Sequence, residues 1–355
     1  MPVSERLYLD HAATTPVLLA AREAMAQALA DWANPSSPHM DGRGARQALE
    51  GHRRRLKELL QWDGEVIFTG GASEAIKLAL LGKAERHIVS PVEHDAVLRP
   101  VSDAVKLAVD LQGRVVLSSI VRALEEGAGQ ALVAIQSVNN ETGVIQPLVE
   151  IGETVRAHGG IWLCDCSQSV GKLSLPDADM ISLSAHKFGG PPGVGALLVK
   201  DLALLEPSGG QEKGYRAGTE NLPAVASMIA ALEQPTNWHQ RIEDLRHQLD
   251  RQIEAAGGVV VAKDADRLPT IGSYQMPAVS ANAQLIQFDL AGVAVSAGSA
   301  CSSGTLKTSH VLHAMGWDEK AAGEVIRVSF GPDTNRSDIY RFVEIWQGIA
   351  EKAKA

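Results

Sequence analysis

The sequence predicts an α/β fold, a mainly parallel sheet flanked by helices with a smaller second region, on three observations. Short apolar runs alternate with helical patterns through the first two thirds of the chain, the βαβ rhythm of a parallel sheet. The length of 355 residues exceeds what one compact core usually serves. Gly257-Gly258 then opens a second, shorter succession of strands and helices.

The strands expected are Glu65–Thr69, His87–Ser90, Ala131–Ile135, Ile161–Asp165, Met180–Ser184 and Gly195–Val199. Each is a short apolar run rich in branched residues, the signature of a strand buried on both faces. Between them, Ser73–Leu81 and Pro147–His158 carry helical spacing, and Gly159-Gly160 stops the second. The segment 207–220, with four glycines and little apolar content, reads as a long surface loop, a class that is often functional. An Ala-rich helix from about Asn221, with Pro223 in its first turn, and an amphipathic helix from about Trp238 to Ala256 follow.

Composition narrows the function. A net charge of −9 gives no footprint for duplex nucleic acid or an anionic membrane. The basic run His52–Lys57 reads as a solvated helix face. Three cysteines, Cys164, Cys166 and Cys301, make no disulfide framework and point to a reducing compartment. Charges near Met1 and the lack of a long apolar run leave a cytoplasmic, soluble protein as the expectation.

Five places carry chemistry. Thr69-Gly-Gly-Ala-Ser-Glu74 leaves a strand and opens a helix, where free N–H groups can seat a phosphate, although a plain tight turn looks the same. Asp165 stands at the carboxyl end of a strand, the edge where ligands bind in open α/β sheets; a helix cap is the alternative. Its neighbours Cys164 and Cys166 share the opposite strand face and read as packing rather than metal ligands. Lys187, in Ser184-Ala-His-Lys187, sits at another strand end beside a hydroxyl and an imidazole, which suits an amine kept partly neutral for Schiff-base chemistry. Cys301, centred in Ser-Ala-Gly-Ser-Ala-Cys-Ser-Ser-Gly304, has only small neighbours and fits a reactive thiol or a free surface cysteine. Downstream, Arg327 lies inside an apolar strand and needs an anion, either a substrate carboxylate or a protein one. A phosphate seat, an acid, a Schiff-base lysine, a thiol and a carboxylate clamp together suit a pyridoxal phosphate enzyme acting on an amino acid.

With these residues in place, the chain resembles the cysteine desulfurases of the NifS/IscS type, in the class V aminotransferase group. The likeness runs nearly end to end, through Tyr8–Pro16, Thr69–Glu74, Val92–Val97, Val138–Gly143, Asp165–Lys172, Ser184–Lys187, Arg216–Thr219 and Ser296–Gly304. Around Cys301 it is similar to the long-loop branch. Ser73 stands where threonine is common in the family, Ala185 where glycine is usual, and Gly331-Pro332 where an arginine often sits.

The resemblance implies fold type I of the pyridoxal phosphate-dependent transferases, with a large domain over 12–245 and a small domain, formed by 1–11 and 246–355, that carries the cysteine loop. It implies that Lys187 holds the cofactor, Asp165 pairs with the ring nitrogen, His94 stacks on the ring, and Gln168 contacts the phenolic oxygen. Ala72, Ser73, Ser184 and His186 would hold the phosphate, joined by Thr219 from the other subunit of a homodimer. Asn140 and Arg327 would grip the substrate carboxylate, with Asn140 also near the phenolic oxygen. Cys301 would take sulfur from L-cysteine as a persulfide, leaving L-alanine, and pass it to an acceptor protein for iron–sulfur cluster assembly or tRNA thiolation. His94 would carry the proton of the substrate thiol. The alternatives are a selenocysteine lyase or a class V aminotransferase, and a transaminase has no need of Cys301. A binding subunit without turnover would have lost Lys187, Asp165 or Cys301, and all three are present.

Overall fold

The computed structural model describes residues 6–298 and 308–354; Cys301 lies outside them. The chain enters through a two-residue strand, β1 (Leu7–Tyr8), then two helices, α1 (Leu19–Ala30) and α2 (Met40–Leu60). The large sheet follows. Its strands are β2 (Glu65–Thr69), β3 (Arg86–Val89), β4 (Val105–Lys106), β5 (Ala131–Ala134), β6 (Ile161–Asp165), β7 (Met180–Ser184) and β8 (Gly195–Val199), in the order β2-β8-β7-β6-β5-β3-β4. All the expected strands are present within a residue or so of their expected ends. Strand β4 was not expected, being a two-residue exposed edge too short to show a period. The sheet is mainly parallel, and β8 runs antiparallel to both of its neighbours.

Alternation along the strands explains why this sheet is buried on both sides. In β6, Trp162 and Cys164 enter one core with residues of α2, α5 (Leu117–Glu125), α6 (Leu148–Ala157) and α7 (Leu222–Leu232). Leu163 points the other way, into a core built with α3 (Ala72–Leu80) and Val97 of α4 (Asp95–Leu98). In β8, Ala196 and Leu198 take the first side, Leu197 and Val199 the second. Helix α7 begins where expected because the Asn221 side chain accepts from Ala224 N at 3.2 Å and Pro223 fills the first turn.

A second core belongs to the smaller region. Strand β10 (Ile271–Gln275) lies antiparallel between β9 (Val259–Val260) and β12 (Val325–Ser329), while β1 pairs in parallel with β11 (Val293–Ala294). Over these pack α8 (His239–Ala255), α9 (Ala281–Leu290) and α12 (Arg336–Lys354). Phe288 and Phe342 stack there with ring centroids 4.8 Å apart. Helix α8 is buried in this core from Ile242 onward, and Leu7 and Leu9 join it from the start of the chain. Two short helices, α10 (His310–Ala314) and α11 (Glu319–Ala322), contribute to a smaller cluster that meets Val92 and Val144 of the large region.

Two sequence expectations need correction. Segment 207–220 is not simply a surface loop: Glu212 is buried and accepts from Arg53 Nη1 at 2.7 Å, from Arg53 Nη2 at 3.0 Å and from Phe68 N at 2.8 Å. Nor is all of His52–Lys57 a solvated face, because Arg53 turns inward to make that pair and stacks over the Phe68 ring. A buried carboxylate and guanidinium are tolerated together because each satisfies the other.

Removing one partner strands the other. Glu212→Ala is expected to lower unfolding free energy by about 3–5 kcal/mol, read from urea midpoints, and to speed tryptic cleavage after Lys213 and Arg216. A midpoint equal to the parent's would show that this pair does not pin the segment.

Candidate active site

The carboxyl ends of β5, β6 and β7 open into a cleft of about 850 Å³ walled by both regions of the chain. Sheet topology makes this edge the binding edge: parallel strands end together there and helices begin beside them. The cleft is lined by ten of the residues singled out above: Ala72, Ser73, His94, Asn140, Asp165, Gln168, Ser184, His186, Lys187 and Arg327. A larger hollow of about 1110 Å³, between α1, α2 and α7, is lined mostly by alanines and uncharged groups and gathers no comparable set of functional side chains.

Asp165 ends β6, and strand alternation turns it away from the core that swallows Cys164 and Cys166. Its Oδ1 accepts from Ser167 N at 3.0 Å, Ser167 Oγ at 2.6 Å and Ser182 Oγ at 3.0 Å. Three donors converge on that one oxygen and leave the other for the cleft. Cys164 and Cys166 stand with sulfurs 3.7 Å apart and fully buried, and burial pushes the Cys164 thiol well up. They are packing residues, as their alternation implied.

Lys187 closes a single 3-10 turn, Ala185–Lys187, at the end of β7. Its Nζ donates to the carbonyls of Ala12 at 2.7 Å and Ala13 at 2.9 Å. Burial, with the Arg327 charge second, lowers this amine from 10.5 to about 8. That shift favours the neutral form relative to an ordinary lysine. Beside it His186 is lowered to about 4, chiefly by burial and then by Lys187, and its Nδ1 lies 3.2 Å from Thr14 Oγ1.

Helix α3 starts at the cleft with Gly71 as its cap, at φ 141°, and Gly71 offers no capping side chain. Strand β8 runs so close that a Cβ on Gly195 would lie 2.8 Å from Gly71 Cα. The first amides of α3 thus face the cleft as anion-binding donors. On one flank Glu74 reaches Gly70 N and accepts from Arg216 Nε at 2.9 Å, which ties the 207–220 segment to the same turn. Thr219 is exposed and does not line this cleft.

Arg327, on β12, is buried and splits its donors. Nη2 donates to Asp10 Oδ1 at 2.8 Å and Nη1 to the Asn140 carbonyl at 3.0 Å, while Nε has no partner among the described residues. Of the two sequence readings, a substrate carboxylate or a protein one, Asp10 supplies the protein carboxylate. Asn140 is set by the turn before it: Asn139 Oδ1 accepts from Glu141 N and Thr142 N, each at 2.9 Å. Gln168 donates to the Ala12 carbonyl at 2.9 Å and its buried Oε1 is unpartnered.

Sequence reasoning missed Asp10, His11 and Lys172. Their signals lay inside the motifs Tyr8–Pro16 and Asp165–Lys172, but spacing alone could not bring Asp10 to Arg327 or His11 to Gly331, more than three hundred positions away. Lys172 is lowered to about 8, by burial and then by Lys187, and donates to the Gln168 carbonyl at 3.0 Å. The His11 ring is lowered to about 4, mostly by burial. It lies where a side chain at Gly331 would stand, since a Cβ there would fall 2.0 Å from the ring. Among the described residues no group of His, Cys, Asp and Glu is arranged to hold a metal ion, and no helix is long and apolar enough to cross a membrane.

Comparison with known proteins agrees with this geometry. Residues 7–342 match the aminotransferase class-V family. The chain is 33% identical to a protein of Archaeoglobus fulgidus named cysteine desulfurase IscS 1, over 98% of each chain. It is 35% identical to a cysteine desulfurase of Cereibacter sphaeroides, over 99% of this chain and 97% of that one. A solved NifS-like protein from Rickettsia africae superposes with a TM-score of 0.90 at 28% identity, covering 98% of this chain and all of its own.

The two depressed imidazoles give a stability prediction. Between pH 6.5 and about 4, unfolded His11 and His186 take up protons that the folded forms refuse, so stability falls as pH falls through that window. The urea midpoint at pH 5 should lie below that at pH 7, and His11→Gln should shrink the gap. An undiminished gap in that variant would remove His11 from the account.

Proposed function

The chain belongs to the class-V aminotransferase family, and we propose that it is a cysteine desulfurase: it uses pyridoxal phosphate to take sulfur from L-cysteine, giving L-alanine and a persulfide on Cys301. One observation carries the reading. An amine brought down to about 8 stands in a cleft with a three-donor carboxylate and a bare helix N-terminus, and relatives matched over nearly their whole length are named cysteine desulfurases.

The residues present fit the cofactor. Three features would otherwise be costly: a partly buried amine without a carboxylate partner, the Arg327 Nε that has no partner among the described residues, and a helix start capped only by glycine. An aldehyde carrying a phosphate and a phenolic oxygen, with a substrate carboxylate beside it, supplies a partner for each. Lys187 would carry the group, Ala72, Ser73, Ser184 and His186 would hold its phosphate, and Gln168 would meet its phenolic oxygen. When bound, such a cofactor stabilises negative charge at the substrate Cα.

The remaining work falls to the chain. Asp165 keeps a fixed negative charge where the ring nitrogen would lie, and His94 would cover the ring. Arg327 and Asn140 orient the substrate by its carboxylate, Nε being the donor without a partner among the described residues. Lys187 Nζ moves the Cα proton, and an amine near pH 8 is matched to that task at neutral pH. The nucleophile is assigned to Cys301, because Cys164 and Cys166 are sealed in the core. Thr219, exposed and away from its own cleft, would complete the phosphate site of a partner copy in a homodimer. A cytoplasmic setting and a sulfur-acceptor protein complete the proposal.

The purified protein is expected to be yellow, to lose that colour on borohydride reduction, and to convert L-cysteine to alanine with sulfide released when a thiol is added. Cys301→Ala should keep the colour and stop sulfide release, and Lys187→Ala should abolish the colour. Desulfuration by Cys301→Ala at the parent's rate would contradict the assignment of the nucleophile.

A further inference from the structure

The turn that seats Lys187 also carries a carboxylate. Asp10 stands in a parallel bridge with Ser329 of β12, and its Oδ1 accepts from Arg327 Nη2 at 2.8 Å. The Asp10 carbonyl accepts from Ala13 N at 3.1 Å and Thr14 N at 3.3 Å, and Tyr8 Oη donates to the Thr14 carbonyl at 2.8 Å. Those bonds fix a tight turn over 10–14. The carbonyls of Ala12 and Ala13 within it are the ones that accept from Lys187 Nζ. One turn thus holds both the seat of the amine and the counter-ion of the arginine.

The charges that act on Lys187 are few and of known sign. Arg327, from β12, drives the proton off, while Asp165, at the end of β6, and Asp10 draw it on. Lys172, beyond β6, donates to the carbonyls of Gln168 and Lys187, at 3.0 and 3.5 Å, and repels a charge on Lys187. His186 and His11, both brought to about 4, are neutral at the pH where the amine titrates. Among the described residues Asp10 is the only carboxylate bonded to Arg327. A pair that served structure alone would need only the hydrogen bond, which a neutral amide oxygen also accepts. A carboxylate there does more: it offsets the guanidinium's charge in a buried setting, where an uncompensated charge acts over several ångströms.

We infer that Asp10 is a positioning residue for the proposed reaction: bonded to Arg327, it orients the guanidinium toward the substrate carboxylate and offsets its charge, so that Lys187 stays basic enough to take the Cα proton. This rests on the desulfurase reading for the roles of Arg327 and Lys187, and adds to it a use for the carboxylate of the first motif.

Asp10→Asn keeps an oxygen for Arg327 Nη2 and removes the charge. The readout is the pH dependence of pyridoxal phosphate attachment to cofactor-free protein, followed as initial rate by absorbance. Loss of a negative charge makes the amine easier to deprotonate, so the half-plateau should fall by about 0.5–1.5 pH units from the parent's value near 8. Loosening of the turn would do the opposite, by letting water reach the amine and moving it toward 10.5. The same comparison is made between Arg327→Gln and the double variant Asp10→Asn/Arg327→Gln, which reads the Asp10 charge even if the lone guanidinium unfolds the single variant. A half-plateau that stays or rises on loss of the Asp10 charge, in either background, would overturn the inference. A parent that attaches the cofactor but makes no alanine from L-cysteine would sink the desulfurase reading instead, in a separate assay.

Discussion

The structure depends on one amine held away from water. Lys187 Nζ is seated on the carbonyls of Ala12 and Ala13, and the same short segment ties the two regions of the chain together. Ala12 N donates to Ser329 Oγ on β12 at 2.8 Å, Thr15 N donates to the His186 carbonyl at 2.8 Å, and Gln168 donates to the Ala12 carbonyl. The last strand of the small region, β12, the turn after β7 and the loop after β6 therefore meet at residues 10–15. A partly neutral amine is the consequence: carbonyls solvate it as either charge state, but no carboxylate bonds to it to hold the proton on.

Around that amine the sheet sorts chemistry from packing by simple alternation. One residue's difference along β6 separates Cys164, sealed at an apolar face, from Asp165, held by three donors at the cleft. Similarly β7 ends in Ser182, which supports Asp165, and Ser184, which lines the cleft, while Ile181 and Leu183 belong to the core. The costly groups, such as Arg327 and Glu212, are affordable only because distant segments supply their partners.

That pattern decides what sequence could reveal. Strands β2, β3, β5, β6, β7 and β8 were legible because burial on both faces demands continuous apolar runs, and Asp165 and Lys187 were legible because each ends such a run. Strand β4 was not, being two exposed residues held only by pairing with β3. The inward turn of Arg53 was hidden because its anion, Glu212, lies in a Gly-rich segment far along the chain. Arg327 showed as a buried cation, but its division between Asp10 and the Asn140 carbonyl depends on contacts across nearly the whole chain.

The central claim is that this amine, and not an ordinary surface lysine, receives the cofactor. Its most direct test is the pH dependence of pyridoxal phosphate attachment to cofactor-free protein, followed by absorbance as initial rate. The account predicts a rate rising to half its plateau near pH 8 and absent from Lys187→Ala. A half-plateau near 10.5, the ordinary lysine value, or an unchanged curve in that variant, would contradict it.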